Sequence, residues 1–138
     1  MRKVFILLLL TLQPLSAQPF CFLEAGQKYT LSPRLLWAIA KVESNLDPSA
    51  IHHNRNGTID VGLMQINSIW ADQLGKTWNH LGDPCTNVMA GAWILSQCIQ
   101  EYDYTWQAVG CYHSRTPARR DAYAEKVAAI LERAGGRR

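Results

Sequence analysis

The chain has 138 residues, with 14 lysine and arginine side chains against 11 aspartate and glutamate side chains, so its net charge at pH 7 is only +3. This near balance argues against nucleic acid as the main partner, because binding to phosphates requires a concentrated positive surface. The length suits one domain with its own hydrophobic core, and the sequence contains no internal repeat or second domain.

Residues 1–17 have the composition of a secretory signal peptide. Arg2 and Lys3 precede the apolar run VFILLLLTL, and the small-residue ending LSA finishes at Ala17. This run is too short for a comfortable membrane span, and no later segment is long and apolar enough for one. We therefore expect cleavage after Ala17, a domain over residues 18–134 and a basic tail over residues 135–138. The mature protein should be exported to the periplasm without spanning the membrane.

All four cysteines lie in the part of the chain that we expect to be exported: Cys21, Cys85, Cys98 and Cys111. An even number of cysteines in an exported chain favours disulfides. The sequence has no CxxC pair and no Cys/His cluster with metal-ligand spacing, which argues against a zinc site or a thioredoxin-like centre. The cysteines therefore predict two structural bridges, and three pairings remain open.

The stretch LLWAIAKVESNLDP, residues 35–48, predicts an amphipathic helix. Ser32 can cap the helix and Pro33 suits its first position, whereas Asp47-Pro48 marks its end. Four residues fall on one face at helical intervals: Leu36, Ile39, Ala40 and Glu43. A carboxylate thus continues the apolar stripe.

Glu43 has two interpretations at this position. Burial and the negative end of the helix dipole both favour its protonated form, which is the form that a general acid needs. Alternatively, Glu43 lies at the edge of the stripe with its head group in water.

Most of the remaining chain is predicted to be helical. Apolar spacing indicates helices over TNVMAGAWILSQCIQEY, WQAVGCYHS and the segment from Pro117 to Gly135-Gly136. Tyr123 falls on the apolar stripe of the last helix and is assigned to the core. The capping residues are expected to be Thr86 or Asn87, Thr105, Thr116 and, for a short helix IWADQL, Ser68.

The stretch HHNRNGTIDVGLMQINS, residues 52–68, predicts a small β-hairpin or extended flap. Asn56-Gly57 is a turn signal, and apolar residues alternate after it at Ile59, Val61 and Leu63. If the chain stays extended, Gln65 continues this face. Gln65 is then either exposed at the end of the strand or directed into a cleft to bind polar groups of a substrate.

Three motifs in order, AKVESNLDPSA, DVGLMQINS and AVGCYHS, resemble those of the lytic transglycosylase family with the goose-type lysozyme fold. The start CFLEAGQKY is similar to small members that accompany type III secretion, conjugation or pilus machines. The likeness covers nearly all of residues 20–127. It implies a mainly α, lysozyme-like domain with a small hairpin or flap beside the active cleft.

The resemblance also implies roles for individual residues. Glu43 matches the sole catalytic acid and base of the family, with Ser44 beside it as a substrate or intermediate contact. Met64 and Gln65 belong to a motif that lines the sugar cleft, so both become substrate-binding candidates. Tyr112 matches a tyrosine that is expected to form a hydrogen bond near the catalytic glutamate.

The last motif departs from the family pattern. His113 stands where the family commonly has asparagine, and Ser114-Arg115 replaces a small Ala-Gly pair. We expect His113 to bind substrate by filling the hydrogen-bonding role of the asparagine, although a second acid/base is the alternative. His52, His53 and His80 have no partner pattern and are assigned to the surface.

The resemblance narrows the disulfide pairing as well. Cys21 and Cys85 stand where relatives often carry cysteines, which favours this bridge and leaves Cys98 with Cys111. The second bridge would then fasten the helix of Tyr112 to its neighbour.

The implied substrate is the glycan strand of peptidoglycan. Protonated Glu43 would cleave the β-1,4 link between N-acetylmuramic acid and N-acetylglucosamine and then form a 1,6-anhydromuramoyl end, without a metal or organic cofactor. This cleavage would open the wall locally for a secretion, conjugation or pilus machine. One alternative is a lysozyme-type hydrolase in which Asp60, as a helper, or Asp47 positions water; another is a non-catalytic module that binds glycan.

Overall fold

The structure is a computed structural model that describes residues 20–136. The predicted signal peptide and the last two residues lie outside the described residues. In chain order the elements are α1 (Phe22–Tyr29), α2 (Pro33–Ser44), β1 (Ile51–His53), β2 (Ile59–Val61), β3 (Ile66–Asn67), a 3-10 turn (Ser68–Trp70), α3 (Ala71–Leu74), a second 3-10 segment (Gly75–His80), α4 (Pro84–Tyr102), α5 (Trp106–Cys111) and α6 (Pro117–Gly135). Within this part of the chain no helix has the length and hydropathy to cross a membrane.

Side-chain caps begin α2 and α5, as the sequence predicts, whereas Thr116 at the start of α6 makes no capping hydrogen bond with its side chain. The Ser32 hydroxyl accepts a hydrogen bond from the Leu35 amide at 3.3 Å, and Thr105 caps α5 in the same way. The expected cap of α4 is wrong: Asp83 caps this helix, because its carboxylate accepts from both the amide and the hydroxyl of Thr86 at 2.8 Å. Ser68 is also not a cap, since the Asn67 side chain takes this role.

Helix α2 ends earlier than Asp47-Pro48 indicates. Asn45 and Leu46 adopt left-handed backbone angles with φ of 55° and 66°. Their amides donate to the carbonyls of Lys41 and Ala40 at 3.1 and 3.4 Å, which satisfies the free end of the helix. Glu43 therefore lies in the last turn of α2, close to the negative end of the helix dipole.

The predicted hairpin is confirmed and gains a third strand. The sheet has the order β1-β2-β3 and is antiparallel, with Ile51 opposite Val61 and Asp60 opposite Asn67. The expectation that the chain stays extended through Gln65 is wrong. Gly62 and Gln65 have φ of 76° and 50°, and the Gln65 amide donates to the Gly62 carbonyl, so the chain turns sharply after β2.

The core surrounds the middle of α2 and fixes the helices around it. Leu36, Ile39, Leu95 and Val127 are fully buried there, from helices α2, α4 and α6. Two disulfides reinforce this packing: Cys21–Cys85 joins the start of α1 to α4, and Cys98–Cys111 joins α4 to α5. Both expected bridges and the mainly α fold with a small hairpin are thus confirmed, whereas α1 was not predicted as an element.

Candidate active site

A cleft of about 670 Å³ opens where the end of α2, the hairpin, and the start of α6 meet. Its lining is mostly polar and includes Glu43, Asp60, Gln65, Tyr112 and His113. A second groove of about 570 Å³, beside Phe22 and Trp37, has no acidic residue in its lining. The polar cleft is therefore where most of the residues predicted for the site come together.

Glu43 is partly buried, and the Tyr123 hydroxyl donates a hydrogen bond to its Oε1 at 2.5 Å. Burial is the main cause that raises the pKa of Glu43 to about 7, and the negative charge of Asp60 adds to the rise. The hydrogen bond from Tyr123 and the positive charge of Lys126 act in the opposite direction. A carboxyl group with this pKa can both donate and accept a proton near neutral pH.

Tyr123 was not predicted as a site residue, because its place on the apolar stripe of α6 indicated only a core position. Its side chain is indeed buried, with 5% exposed, yet its hydroxyl reaches Glu43. The available signal was the hydroxyl itself, since a buried tyrosine usually needs a partner for it. Burial also raises the pKa of Tyr123 well above its ordinary value, so it remains a hydrogen-bond donor.

Tyr112 lines the cleft but does not form its hydrogen bond with Glu43. Its hydroxyl donates to the backbone carbonyl of Met64 at 2.8 Å, and its ring stacks with that of Tyr123 at a centroid distance of 6.5 Å. Tyr112 therefore supports the turn after β2 and packs against the tyrosine that holds the glutamate.

Met64 and Ser44 are both predicted substrate contacts, but neither side chain belongs to the lining of the cleft. Met64 is fully buried, in close packing against Gly91 of α4, and it does not line the cleft. The Ser44 hydroxyl donates to the Leu63 carbonyl at 2.7 Å and accepts from the Asp47 amide at 3.1 Å. The apolar side chain of Met64 is engaged in core packing, and the hydroxyl of Ser44 is engaged by backbone groups. Both side chains therefore support the wall of the cleft from behind.

Gln65 does lie in the cleft, although it reaches it by a turn and not by an extended strand. Its Nε2 donates to the carbonyls of Gly62 at 2.9 Å and Ala50 at 3.2 Å. These bonds fix the amide group and leave its oxygen as the atom suited to accept from a sugar hydroxyl or N-acetyl N–H.

Asn87 is a second supporting residue that the sequence does not indicate, since its position predicts only a helix-capping role. It is fully buried in α4. Its side chain accepts from the Met64 amide at 2.7 Å and donates to the carbonyls of Val61 at 2.9 Å and Leu81 at 3.0 Å. Asn87 thus holds the backbone of the turn that carries Gln65.

Asp60 lies in the cleft and is held by two amides. Asn54 Nδ2 donates to its Oδ2 at 2.8 Å, and Asn67 Nδ2 donates to its Oδ1 at 2.7 Å. Asp47 does not line the cleft: it is exposed and accepts hydrogen bonds from the amide and hydroxyl of Ser49, which is turn chemistry.

His113 stacks flat on Tyr123, with ring centroids 4.9 Å apart and planes 5° apart. Partial burial lowers its pKa below the ordinary value, and the positive charges of Lys126 and Arg119 lower it further. The neutral imidazole is therefore favoured at neutral pH, a state that can both donate and accept a hydrogen bond. His52, His53 and His80 are exposed, as expected.

Residues 20–136 contain no group of three or more His, Cys, Asp or Glu side chains that could hold a metal ion. The cleft instead offers one carboxyl group of near-neutral pKa, supported by a tyrosine and surrounded by polar side chains. This arrangement is suited to proton transfer to and from a bound polar ligand.

Comparison with known proteins agrees with this geometry. Residues 20–129 match the family described as transglycosylase SLT domain. "Invasion protein IagB" of Salmonella typhimurium strain LT2 is 42% identical over 135 residues, covering 92% of this chain and 84% of that protein. "Protein IpgF" of Shigella flexneri is 32% identical over 131 residues, with coverages of 89% and 86%. The chain therefore belongs to the transglycosylase SLT family and has its lysozyme-like fold.

Proposed function

We propose that the protein is a peptidoglycan lytic transglycosylase that cleaves the β-1,4 link between N-acetylmuramic acid and N-acetylglucosamine. The observation that carries this proposal is Glu43, a partly buried carboxyl with a pKa of about 7 in the polar cleft of an SLT domain. Peptidoglycan is the substrate implied by the family, and the polar lining of the cleft suits a glycan.

In the first step, protonated Glu43 donates its proton to the glycosidic oxygen. The bond from this oxygen to C1 of the muramoyl unit breaks, and the leaving sugar departs with the proton. The positive charge that develops at C1 is stabilised by the N-acetyl group of the same sugar. The Tyr123 hydroxyl, at 2.5 Å from Oε1, stabilises the carboxylate that Glu43 becomes.

In the second step, ionised Glu43 removes the proton of the C6 hydroxyl. O6 then forms a bond to C1, which gives the 1,6-anhydromuramoyl end and returns Glu43 to its protonated form. No water is consumed, and neither step requires a second carboxylate. A pKa near 7 suits both steps, since the group must first give and then take a proton.

A lysozyme-type hydrolase is the second candidate, because Asp60 lies in the same cleft. Hydrolysis by two carboxyl groups requires Asp60 to act as nucleophile or to activate water. Both oxygens of Asp60 already accept hydrogen bonds from Asn54 and Asn67, which favours a structural and electrostatic role. The proposed transglycosylase uses Asp60 only to raise the pKa of Glu43.

Mass spectrometry of muropeptides released from purified sacculi tests the proposal. The mature protein should release 1,6-anhydromuramoyl products, and Glu43→Gln should lower the rate by at least about 10²-fold because the proton donor is lost. Asp60→Asn, the matched control, should form the same anhydro products. Reducing muramic ends would instead identify a hydrolase, and binding without release by the wild-type protein would identify a glycan-binding module.

We further propose that residues 1–17 direct export and that the enzyme opens the wall for a secretion, conjugation or pilus machine. The two disulfides suit an oxidising compartment such as the periplasm. When the full chain is expressed in a Gram-negative bacterium, the periplasmic fraction should contain a protein that begins at Gln18. An uncleaved protein retained in the cytoplasm would contradict the proposal.

A further inference from the structure

Two exposed aromatic side chains, Tyr104 and Trp106, lie at the start of α5, away from the catalytic cleft. Trp106 is 51% exposed and Tyr104 is 55% exposed. Two pockets of about 310 Å³ each adjoin these residues, and Trp106 lines both of them. No residue that lines either pocket also lines the cleft, and Tyr112, which does line the cleft, follows the opposite end of α5.

The pocket beside Tyr104 is mainly apolar. Besides the two aromatic residues, its lining contains Leu35, Val109 and Leu131, from α2, α5 and α6. The Tyr104 hydroxyl accepts a hydrogen bond from the Ser32 amide at 3.1 Å, which fixes the position of the ring. This pocket is therefore suited to an apolar side chain, because it offers apolar contacts that are already in place.

The second pocket combines the Trp106 ring with acidic side chains of α6. Asp121 and Glu125 line it, and no lysine or arginine lines either pocket. Asp121 accepts from Arg120 Nε at 2.8 Å, whereas within residues 20–136 Glu125 forms no ion pair. An aromatic ring and a free carboxylate thus lie together in a pocket that carries negative charge.

This combination favours a cationic group as the occupant of the second pocket. A lysine or arginine can form an ion pair with Glu125 and also a cation–π contact with the Trp106 ring. A peptidoglycan strand is a poor match, because the carboxylates that it carries would be repelled by Asp121 and Glu125. Exposed apolar groups rimmed by polar residues are typical of protein interaction sites, where aromatic residues and arginine are enriched.

We propose that Tyr104, Trp106 and the two pockets bind a segment of a partner protein that places an apolar side chain next to a lysine or arginine. The apolar side chain fills the pocket beside Tyr104, and the cation lies against Trp106 and Glu125. Two pockets of this size suit a short segment and a transient complex. The inference does not depend on the proposed function, since the catalytic cleft takes no part and stays open to its substrate.

A model peptide tests the chemistry of this surface. The probe is a synthetic peptide of leucine and lysine patterned as an amphipathic helix, and its control has glutamate in place of each lysine. Two-dimensional NMR of the ¹⁵N-labelled mature protein follows the indole N–H signal of Trp106, which is identified by its absence from the spectrum of Trp106→Ala. The lysine peptide should shift this signal and the amide signals of Glu125 and Ala128, and the glutamate peptide should not.

Two variants measure the contributions of the two groups. Trp106→Ala should weaken binding of the lysine peptide by at least about tenfold, since an aromatic residue at the centre of such a contact carries much of the affinity. Glu125→Gln should weaken it by about two- to fivefold and reduce its dependence on salt, because one exposed ion pair is lost. Glu125→Gln also keeps the test decisive if Trp106→Ala fails to fold.

Leu23→Ala and Glu24→Gln are the matched controls, because both residues are exposed on α1 and line neither pocket. Both variants should bind the lysine peptide like the wild-type protein. Absence of binding, shifts confined to the cleft, equal binding of the glutamate peptide, or unchanged affinity in the Trp106 and Glu125 variants would overturn the inference. A Trp106 shift on dilution of the protein alone would instead identify a second copy of the chain as the occupant, and a shift with chitotetraose would identify a sugar.

Release of muropeptides from sacculi provides the independent readout. Trp106→Ala and Glu125→Gln should release the same products at the wild-type rate, since neither residue lines the cleft. Failure of the proposed function would therefore leave the peptide titration intact, and failure of the titration would leave the cleavage chemistry intact.

Discussion

At the scale of single residues, two opposing influences determine the pKa of Glu43. Burial disfavours the carboxylate, whereas the hydrogen bond from Tyr123 stabilises it, and the result is a pKa of about 7. The sequence placed Glu43 on an apolar stripe and so indicated burial. It gave no indication of Tyr123 as the partner, which is 80 positions away along the chain.

Tyr123→Phe should shift the pH dependence of cleavage. Activity requires protonated Glu43, so kcat/KM should fall as pH rises through about 7 in the wild-type protein. Removal of the hydroxyl takes away a donor that lowers the pKa of Glu43, so the alkaline limb should move upward by about one pH unit. Tyr29→Phe is the control; an unchanged limb in Tyr123→Phe would show that the hydroxyl does not tune Glu43.

Glu43→Gln should make the protein more stable at alkaline pH. The pKa of Glu43 is raised from 4.5 to about 7 on folding, so the unfolded chain ionises first and stability falls between these two pH values. At pH 8 the variant should gain about 2–3 kcal/mol in free energy of unfolding over the wild-type protein, and near pH 4 this gain should vanish. Denaturant titrations at the two pH values provide the measurement, and a difference independent of pH would contradict the expected burial.

At the scale of elements, the turn between β2 and β3 depends on groups from three helices. Asn87 of α4 binds its backbone, Tyr112 at the end of α5 binds the Met64 carbonyl, and Ser44 of α2 binds the Leu63 carbonyl. Gly62 is required there because a side chain at this position would collide with Asn87. The motif DVGLMQINS therefore works mainly as a rigid support, from which Asp60, Gln65 and Asn67 present their side chains to the cleft.

Asn87→Ala should destabilise the protein and reduce activity together. It removes three hydrogen bonds and leaves the buried Met64 amide without an acceptor, which should cost about 3–5 kcal/mol in free energy of unfolding. Asn79→Ala, at an exposed asparagine, should change stability by less than about 0.5 kcal/mol. Chemical denaturation compares the two variants; equal midpoints would refute the supporting role of Asn87.

At the scale of the whole molecule, two disulfides and one shared core hold the helices around the cleft. The bridge Cys21–Cys85 joins residues 64 positions apart, whereas Cys98–Cys111 joins residues 13 positions apart and lies directly before Tyr112. The first bridge therefore restricts the unfolded chain more strongly. The second is the nearer of the two to the active cleft along the chain.

Two variants, each with both cysteines of one bridge replaced by alanine, should separate these roles. Loss of Cys21–Cys85 should cost about 4 kcal/mol and loss of Cys98–Cys111 about 3 kcal/mol, because the longer loop loses more entropy on closure. Only the second loss should also lower activity at temperatures where the protein is fully folded, since it releases the end of α5 that carries Tyr112. Thermal unfolding and rate measurements on the two variants check this, and equal effects on activity would contradict it.

Local patterns in the sequence determined most of the helices, the hairpin turn, the presence of two bridges and the position of Glu43 at the end of α2. These features depend on neighbouring residues: helical spacing, caps such as Ser32 and Thr105, and the Asn56-Gly57 turn. The assignment of Glu43, Gln65 and Tyr112 to the candidate site followed from three motifs whose order resembles that of the family. Even there, short-range signals placed the end of α2 and the start of α4 wrongly.

Only the tertiary structure decided which groups meet. An apolar pattern indicates that a side chain is buried, but it does not identify the polar atom that a buried hydroxyl or amide will bind. For this reason Tyr123 and Asn87 were missed, and Met64 was assigned to the cleft although it packs in the core. The partners of a buried polar group come from distant parts of the chain, so they are fixed only when the helices pack together.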